Sequence, residues 1–266
     1  MSPLELLFEA GGLPAFDLPD ALAERYGGSL GFDEPRLFAN FVESADGVVA
    51  MPSVPLSNKL IAGGSAADRF VMGLLRACAD VVVIGSGTLR DSPGGLWTAA
   101  QAFPDAAGGF AELRERLGRR PEVEAAVLSA SGGVDPAHPV FRRGGLVLTT
   151  DEGAAFLAGR LPAEQVVAHG PVLDVTAAIG ALRARGHALI LSEGGPRVFG
   201  SLLAAGLVDE LFLTVSPLLT GRLLGDERLA LVEEADLVPG GPQQMDLLGI
   251  RRDGGHLFLR YAFTRS

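Results

Sequence analysis

The sequence predicts an α/β fold, with a mainly parallel central sheet flanked by helices and an antiparallel C-terminal hairpin. Three observations carry this. Val81–Ile84 (VVVI) and Ala188–Leu191 (ALIL) are continuous apolar runs, the pattern of strands buried on both faces of a parallel sheet. Segments with helical periodicity lie between such runs, so strands and helices alternate. Near the C-terminus, Gln243–Arg252 and His256–Thr264 are joined by Asp253-Gly254-Gly255, a hairpin signal.

Taken in order, residues 1–35 hold apolar side chains without a long period, interrupted by Pro14, Pro19 and Pro35. They read as an arm packed on the body, with a short helix over 19–26. Residues 36–266 read as a single domain. Arg36–Glu43 is a strand, followed by the turn signal Asp46-Gly47 and then Val48–Ala50. Ser65–Cys78 is a helix, with Phe70, Leu74 and Cys78 at i, i+4 and i+8. Residues 91–111, rich in Gly, Pro and Ala, read as an inserted loop. Glu124–Leu128, Leu146–Thr149 and Val166–Ala168 are short strands, and Ile179–Arg185 lies in a helix. Pro196–Ala205 is a helix with proline in its first position and Gly206 just past its end. Glu210–Val215 is again a strand. In the final segment Leu257, Leu259, Tyr261 and Phe263 share one face and Phe258, Arg260 and Ala262 the other.

Composition narrows the function. The chain is 48% hydrophobic and 20% charged, enough to build a core. A net charge of −10 argues against binding a nucleic-acid backbone. An anionic ligand would instead be held by local backbone amides. Cys78 is the only cysteine, so neither an internal disulfide nor a cysteine-based zinc site is expected. The N-terminus lacks a basic region followed by an apolar one, and no apolar run approaches the ~20 residues needed to span a bilayer. The expectation is a cytoplasmic protein with no membrane partner.

Four segments can carry chemistry. In LILSEGGPRVFG a buried strand runs into Gly194-Gly195 and a helix beginning at Pro196. Such a helix start is a ready anion site, because its first amides are unpaired and glycine lets a ligand approach the backbone. It can equally be a plain strand-to-helix turn. VVVIGSGTLR places Gly85, Gly87 and Thr88 directly after another buried strand. Arg90 stands where the dinucleotide fingerprint requires a third small residue, so the motif is not that fingerprint, and the residues beyond it read as loop. Both turns nevertheless lie at the carboxyl ends of parallel strands, the rim where ligands collect in open α/β sheets. Two seats suit an elongated ligand such as a dinucleotide. FVESADGVVA is a hairpin turn or, alternatively, a loop over a reacting centre with Asp46 polarising a substrate. AAVLSASGG ends in Ser129 and Ser131, a polar loop or a seat for a ribose 2′-phosphate, since no acid stands there to bind a 2′-hydroxyl. The four histidines show no metal spacing, and no metal site is expected.

Together the segments resemble the reductase domain of riboflavin biosynthesis, the C-terminal half of a bifunctional deaminase–reductase in the dihydrofolate-reductase-like superfamily. The matching pieces are NFVESADG, LLRACAD, VVVIGSGTLR, VLSASGGVDP, LILSEGGPRVFGSLL and LVDELFLTVSPLLTGR, in the family's order. The resemblance implies an NADPH-dependent, homodimeric reductase acting on a small heterocyclic substrate. By resemblance, Gly85, Gly87 and Thr88 contact cofactor phosphate or ribose, Ser129 and Ser131 the 2′-phosphate, and Gly194, Gly195, Arg197 and Val198 the pyrophosphate. Asn40, Ser44, Asp46 and Thr214 line the nicotinamide and substrate pocket. Asp46 is the first candidate for the polarising or proton-relaying group and Glu193 the second, though Glu193 can also be a charge complementing the helix dipole. One departure concerns the substrate. DSPGGLWTAAQ ends without the arginine that closes this motif in the family and would suit a substrate phosphate. That leaves a paralogue with the cofactor site kept and the substrate site altered as the alternative, either regulatory or dihydrofolate-reductase-like.

Overall fold

The computed structural model describes residues 2–222, 225, 227–239 and 241–264. Ten strands form one sheet: β1 (Glu5–Glu9), β2 (Arg36–Ser44), β3 (Val81–Gly85), β4 (Glu124–Leu128), β5 (Leu146–Thr149), β6 (Val166–Ala168), β7 (Leu189–Ser192), β8 (Glu210–Ser216), β9 (Met245–Asp253) and β10 (His256–Phe263). Their order is β1-β9-β10-β8-β2-β7-β3-β4-β5-β6. Pairing is parallel from β8 through β6, whereas β10 pairs antiparallel to β8, β9 to β10 and β1 to β9. The helices are α1 (Asp20–Tyr26), α2 (Ser57–Ile61), α3 (Ala66–Cys78), α4 (Ser86–Arg90), α5 (Ala99–Ala102), α6 (Ala107–Arg116), α7 (Pro139–Arg142), α8 (Asp151–Leu157), α9 (Val175–Ala184) and α10 (Pro196–Ala204).

The alternation of each central strand sorts its side chains onto two faces. Val82, Ile84, Leu189 and Leu191 pack with Phe70 and Leu74 of α3 and Phe110 and Leu113 of α6. Val81, Val83 and Ile190 pack with Ile179 and Leu182 of α9 and Phe199 and Leu202 of α10. The connections from β3 through β6 run over the first face, and those leading to and from β7 run over the second. From β3 the chain moves outward to β4, whereas from β7 it crosses β2 to reach β8. The neighbouring tips of β3 and β7 are therefore a topological switch point, where the departing segments diverge and leave a crevice.

Three sequence expectations change. Residues 2–35 hold a strand as well as the expected helix: β1 covers the outer edge of β9, so the C-terminal hairpin is not an exposed edge. Arg251 locks this contact, donating to Glu9 at 2.5 Å and to the Tyr26 carbonyl at 2.8 Å. Residues 91–111 are largely helical rather than loop. Thr98 caps α5, and α6 forms despite Gly108 and Gly109. Those glycines cost helix stability of about 1 kcal/mol each, and burial of Phe110 and Leu113 offsets it at roughly 2–3 kcal/mol each. The residues after Gly85 enter the short helix α4 at once, which the sequence did not signal, and the loop expected beyond Arg90 follows it at 91–98.

Candidate active site

The carboxyl ends of the parallel strands line up, in sheet order, as β8, β2, β7, β3 and β4. At the β7–β3 boundary the two glycine turns meet. Val83 pairs with Ser192, and the Glu193 amide donates to the Val83 carbonyl at 2.9 Å, so Gly85 and Gly194 stand at the same level. These two glycines serve packing. A Cβ at Gly194 would lie 2.6 Å from Val198 Cγ1, and one at Gly85 would lie 3.1 Å from Val198 Cγ2. Val198 thus fills the gap between the turns. Gly87 and Gly195 differ: a Cβ on either meets nothing closer than 3.8 Å and 4.0 Å, at the Arg90 side chain and Thr88 Oγ1. The backbone at both positions lies open.

Both helices that leave these turns start without a side-chain cap. By contrast, Ser65 caps α3 and Thr150 caps α8. The first amides of α10 therefore face the crevice with no side-chain acceptor at its N-cap, the arrangement that binds an anion. Arg197 is exposed and pairs with Glu234 at 2.7 Å. At the next tip Ser129 is buried, while Ser131 is exposed and its hydroxyl accepts from the Gly133 amide at 3.2 Å.

The other half of the rim is built from side chains. Asn40, Val42 and Ser44 share the β2 face that carries Phe38, and Phe212, Thr214 and Ser216 stand beside them on β8. Asn40 and Thr214 line a cavity of about 10 Å3, room for one water. Ser44 is buried, and its hydroxyl donates to Asp46 Oδ1 at 2.6 Å. Asp46 also accepts from the Thr220 amide at 3.1 Å and the Gly221 amide at 2.7 Å. These donors, Ser44 first, hold its carboxyl well below the usual range, so it stays ionised and ties β2 to the segment after β8. Glu193 turns to Arg76 of α3, accepting at 2.9 and 2.6 Å in a buried bidentate pair. The hydroxyls of Ser192 and Ser216, the last residues of β7 and β8, are buried without a partner among the described residues.

The structure therefore gathers Asn40, Ser44, Asp46, Glu193 and Thr214 at one end of the rim. Gly85, Gly87, Thr88, Gly194, Gly195, Arg197 and Val198 lie at its centre, with Ser129 and Ser131 beyond. Sequence reasoning missed Arg76 and Asp68. Asp68 on α3 is 5% exposed. Burial pushes its carboxyl up to about 6, and the nearby Thr214 side chain only partly opposes this. The available signal was an acid on the apolar stripe of the helix. The spacing Ser65-x-x-Asp68 fits a capping pair, of which the Ser65 half forms.

The model of the RibD C-terminal domain matches residues 35–257 of this sequence. The chain belongs to the RibD C-terminal domain family. No curated protein sequence matches it. Among solved structures, it is similar to a pyrimidine reductase-like protein from Corynebacterium diphtheriae, at 24% identity and a TM-score of 0.68, covering 94% of this chain and 96% of that one. It is also similar to Acinetobacter baumannii RibD, at 17% identity and a TM-score of 0.63, where 91% of this chain spans 60% of that one. A third is the Saccharomyces cerevisiae riboflavin biosynthesis reductase Rib7, at 16% identity and a TM-score of 0.51, covering 93% and 95%. At these identities the likenesses show the fold, while the RibD C-terminal family assignment rests on the domain match. No helix of this RibD-family chain, among the described residues, is long and apolar enough to cross a membrane.

Proposed function

We propose that this chain is an NADPH-dependent reductase of the riboflavin-biosynthesis pyrimidine-reductase type, working as a cytoplasmic homodimer. The observation that carries the reading is the pair of open glycine backbones, Gly87 and Gly195, facing one crevice at the switch point beside the uncapped start of α10. That chemistry fits a pyrophosphate: amide donors, the positive end of a helix and no Cβ in the way. Thr88, Arg197 and the Val198 amide border the same seat, and Ser129 and Ser131 stand where a 2′-phosphate would reach. When bound, the dihydronicotinamide supplies hydride to a carbonyl or imine carbon.

The protein's own part is orientation and charge. Asp46 fixes the loop around Thr220 and Gly221 against the tip of β2. The Arg76–Glu193 pair holds the tip of β7 against α3. Asn40, Ser44 and Thr214, polar groups on adjacent strands, are the residues we assign to the substrate side. The Corynebacterium diphtheriae protein is named pyrimidine reductase-like, and a Thermotoga maritima relative is named a 5-amino-6-(5-phosphoribosylamino)uracil reductase. Purified protein mixed with NADPH and that aminopyrimidine, or with dihydrofolate in parallel, tests the proposal by loss of absorbance at the NADPH band. Turnover with the first supports the reading. Turnover with dihydrofolate alone redirects the substrate, and NADPH binding without any turnover leaves a binding protein.

A further inference from the structure

Two segments leave the switch point, and one guanidinium holds both. β7 runs into the turn Glu193-Gly194-Gly195 and then α10, while β3 runs into α4 and then the segment 91–98, which ends at the N-cap of α5. Arg76 lies in the last turn of α3. Its Nε and Nη2 donate to the Glu193 carboxylate at 2.9 and 2.6 Å, and its Nη1 donates to the Thr98 carbonyl at 3.3 Å. Both side chains of the ion pair are under a tenth exposed. Only the planar fork of an arginine serves two partners in this way, because its donors point in fixed and different directions.

The anchored points are themselves rigid. In the 91–98 segment, Gln101 accepts from the Leu96 amide at 2.7 Å and donates to the Gly94 carbonyl at 2.8 Å. The Thr98 hydroxyl accepts from the Gln101 amide at 3.2 Å, and His138 Nε2 stands 3.0 Å from the Ser92 carbonyl. Trp97, buried in the same segment, holds φ 53°, a left-handed conformation that a bulky residue keeps only where its surroundings over-determine it. On the other side the Glu193 amide is bonded to the Val83 carbonyl. Between the two lies the opening of the crevice, where a Cβ on Gly195 would stand 4.0 Å from Thr88 Oγ1. Each departing segment thus supplies one wall.

We propose that Arg76 is a positioning residue for the dinucleotide seat, holding Glu193 and Thr98 at once so that the two walls are set apart correctly before a ligand arrives. A seat fixed in advance loses less freedom on binding. The pair also neutralises a carboxylate two residues from Gly195, where a bare negative charge would oppose a pyrophosphate. The inference rests on the reductase reading for the identity of the ligand, and on the hydrogen bonds of Arg76 for the fixed walls.

The paired variant Arg76→Met with Glu193→Leu separates positioning from stability and from charge. Replacing both members of a buried ion pair by apolar side chains of similar volume is often neutral for the fold, so its Tm should stay close to that of the unaltered protein. No bare carboxylate is left behind. Its Kd for NADPH should nevertheless rise at least ~10-fold, because the walls are no longer held in register. Hydrogen–deuterium exchange without ligand should show the amides of 193–198 losing protection in the paired variant, while those of β4 and β5 keep theirs. Arg76→Lys keeps the charge but not the fork, and should show the same loss of protection to a smaller degree. It provides the same readout where the paired variant fails to fold. Unchanged protection over 193–198, or unchanged NADPH affinity where the unaltered protein binds it, overturns the inference. Failure of the unaltered protein to bind NADPH counts against the reductase reading, and the exchange pattern then decides the role of Arg76.

Discussion

The two ends of the parallel sheet use their polar groups in opposite ways. At the amino end most are paired, although Arg119 Nε is buried with no hydrogen-bond partner among the described residues. Asp80 accepts from the Leu189 amide at 2.7 Å and pairs with Arg119. Asp209 accepts from the Leu37 amide at 2.7 Å, and Glu124 meets His187 at 3.0 Å. Arg114 donates one guanidinium nitrogen to the carbonyls of Arg76, Ala77 and Ala79 at the end of α3. At the carboxyl end, Gly87 and Gly195 are open, α10 starts without a side-chain cap, and two buried serine hydroxyls have no partner among the described residues. On the proposed function, the difference teaches that most of the stabilising polar pairs lie at the end away from the ligand. Buried polar groups with partners hold a structure together, and an open backbone beside unpartnered groups is where a ligand can complete them.

The separation can be broken first at the amino end. Arg114→Ala leaves the last carbonyls of α3 without their donor and is expected to cost about 3–5 kcal/mol in urea unfolding. The Kd for NADPH of the folded variant should stay unchanged. A large loss of affinity without loss of stability would erase the distinction between the two ends.

A second test measures what the carboxyl end costs the fold. Asp68 has a proton affinity above the ordinary value in the folded state, so the native protein binds more protons than the unfolded chain between the two values. Its contribution is most favourable below pH 3.8, is lost as pH rises to about 6, and is level above that. The shift corresponds to roughly 3 kcal/mol. Asp68→Asn removes this dependence, so its stability relative to the unaltered protein should climb by up to that amount between pH 4 and pH ~7. A constant difference across that range contradicts the raised acid. The smallest effect belongs to Gly87→Ala. A methyl there fits the helical backbone of α4 and should add up to ~1 kcal/mol of stability while weakening NADPH several-fold.

The same division explains what the sequence made legible. The glycine-turn half of the rim is local. Apolar runs ending in Gly85 or Gly194-Gly195, with Pro196 opening a helix, state strand and turn within a dozen residues, while the anion seat is part of the proposed function. The side-chain half is assembled from afar. The partner of Glu193 is Arg76, 117 residues away, and nothing adjacent to either announces it. Asp68 lies three residues past Ser65, a spacing that fits a capping pair, and nothing adjacent to it in the sequence announces its burial. The strand β1 was hidden for another reason: as an edge strand it leaves Leu6, Leu7 and Phe8 exposed, without the alternation that marks a half-buried strand. α5 and α6 were hidden because tertiary burial of Phe103 and Phe110 against Phe70 outweighs the weak helix propensity of a Gly-rich stretch. The pairing of β9 with β1 also means that the hairpin edge is not a free surface for a second copy.

The central claim is that the open backbone between β3 and β7 holds a nicotinamide dinucleotide. Gly195→Val tests it most directly, because the backbone there has φ −66° and ψ 178°, which any residue adopts, and a Cβ would stand 4.0 Å from the nearest neighbouring atom. The substitution should cost the fold no more than about 1 kcal/mol. Fluorescence titration with NADPH should show saturable binding by the unaltered protein and a Kd raised at least ~100-fold, about 3 kcal/mol, in the variant at nearly equal Tm. No saturable NADPH binding by the unaltered protein, or equal affinity in Gly195→Val, would contradict the claim.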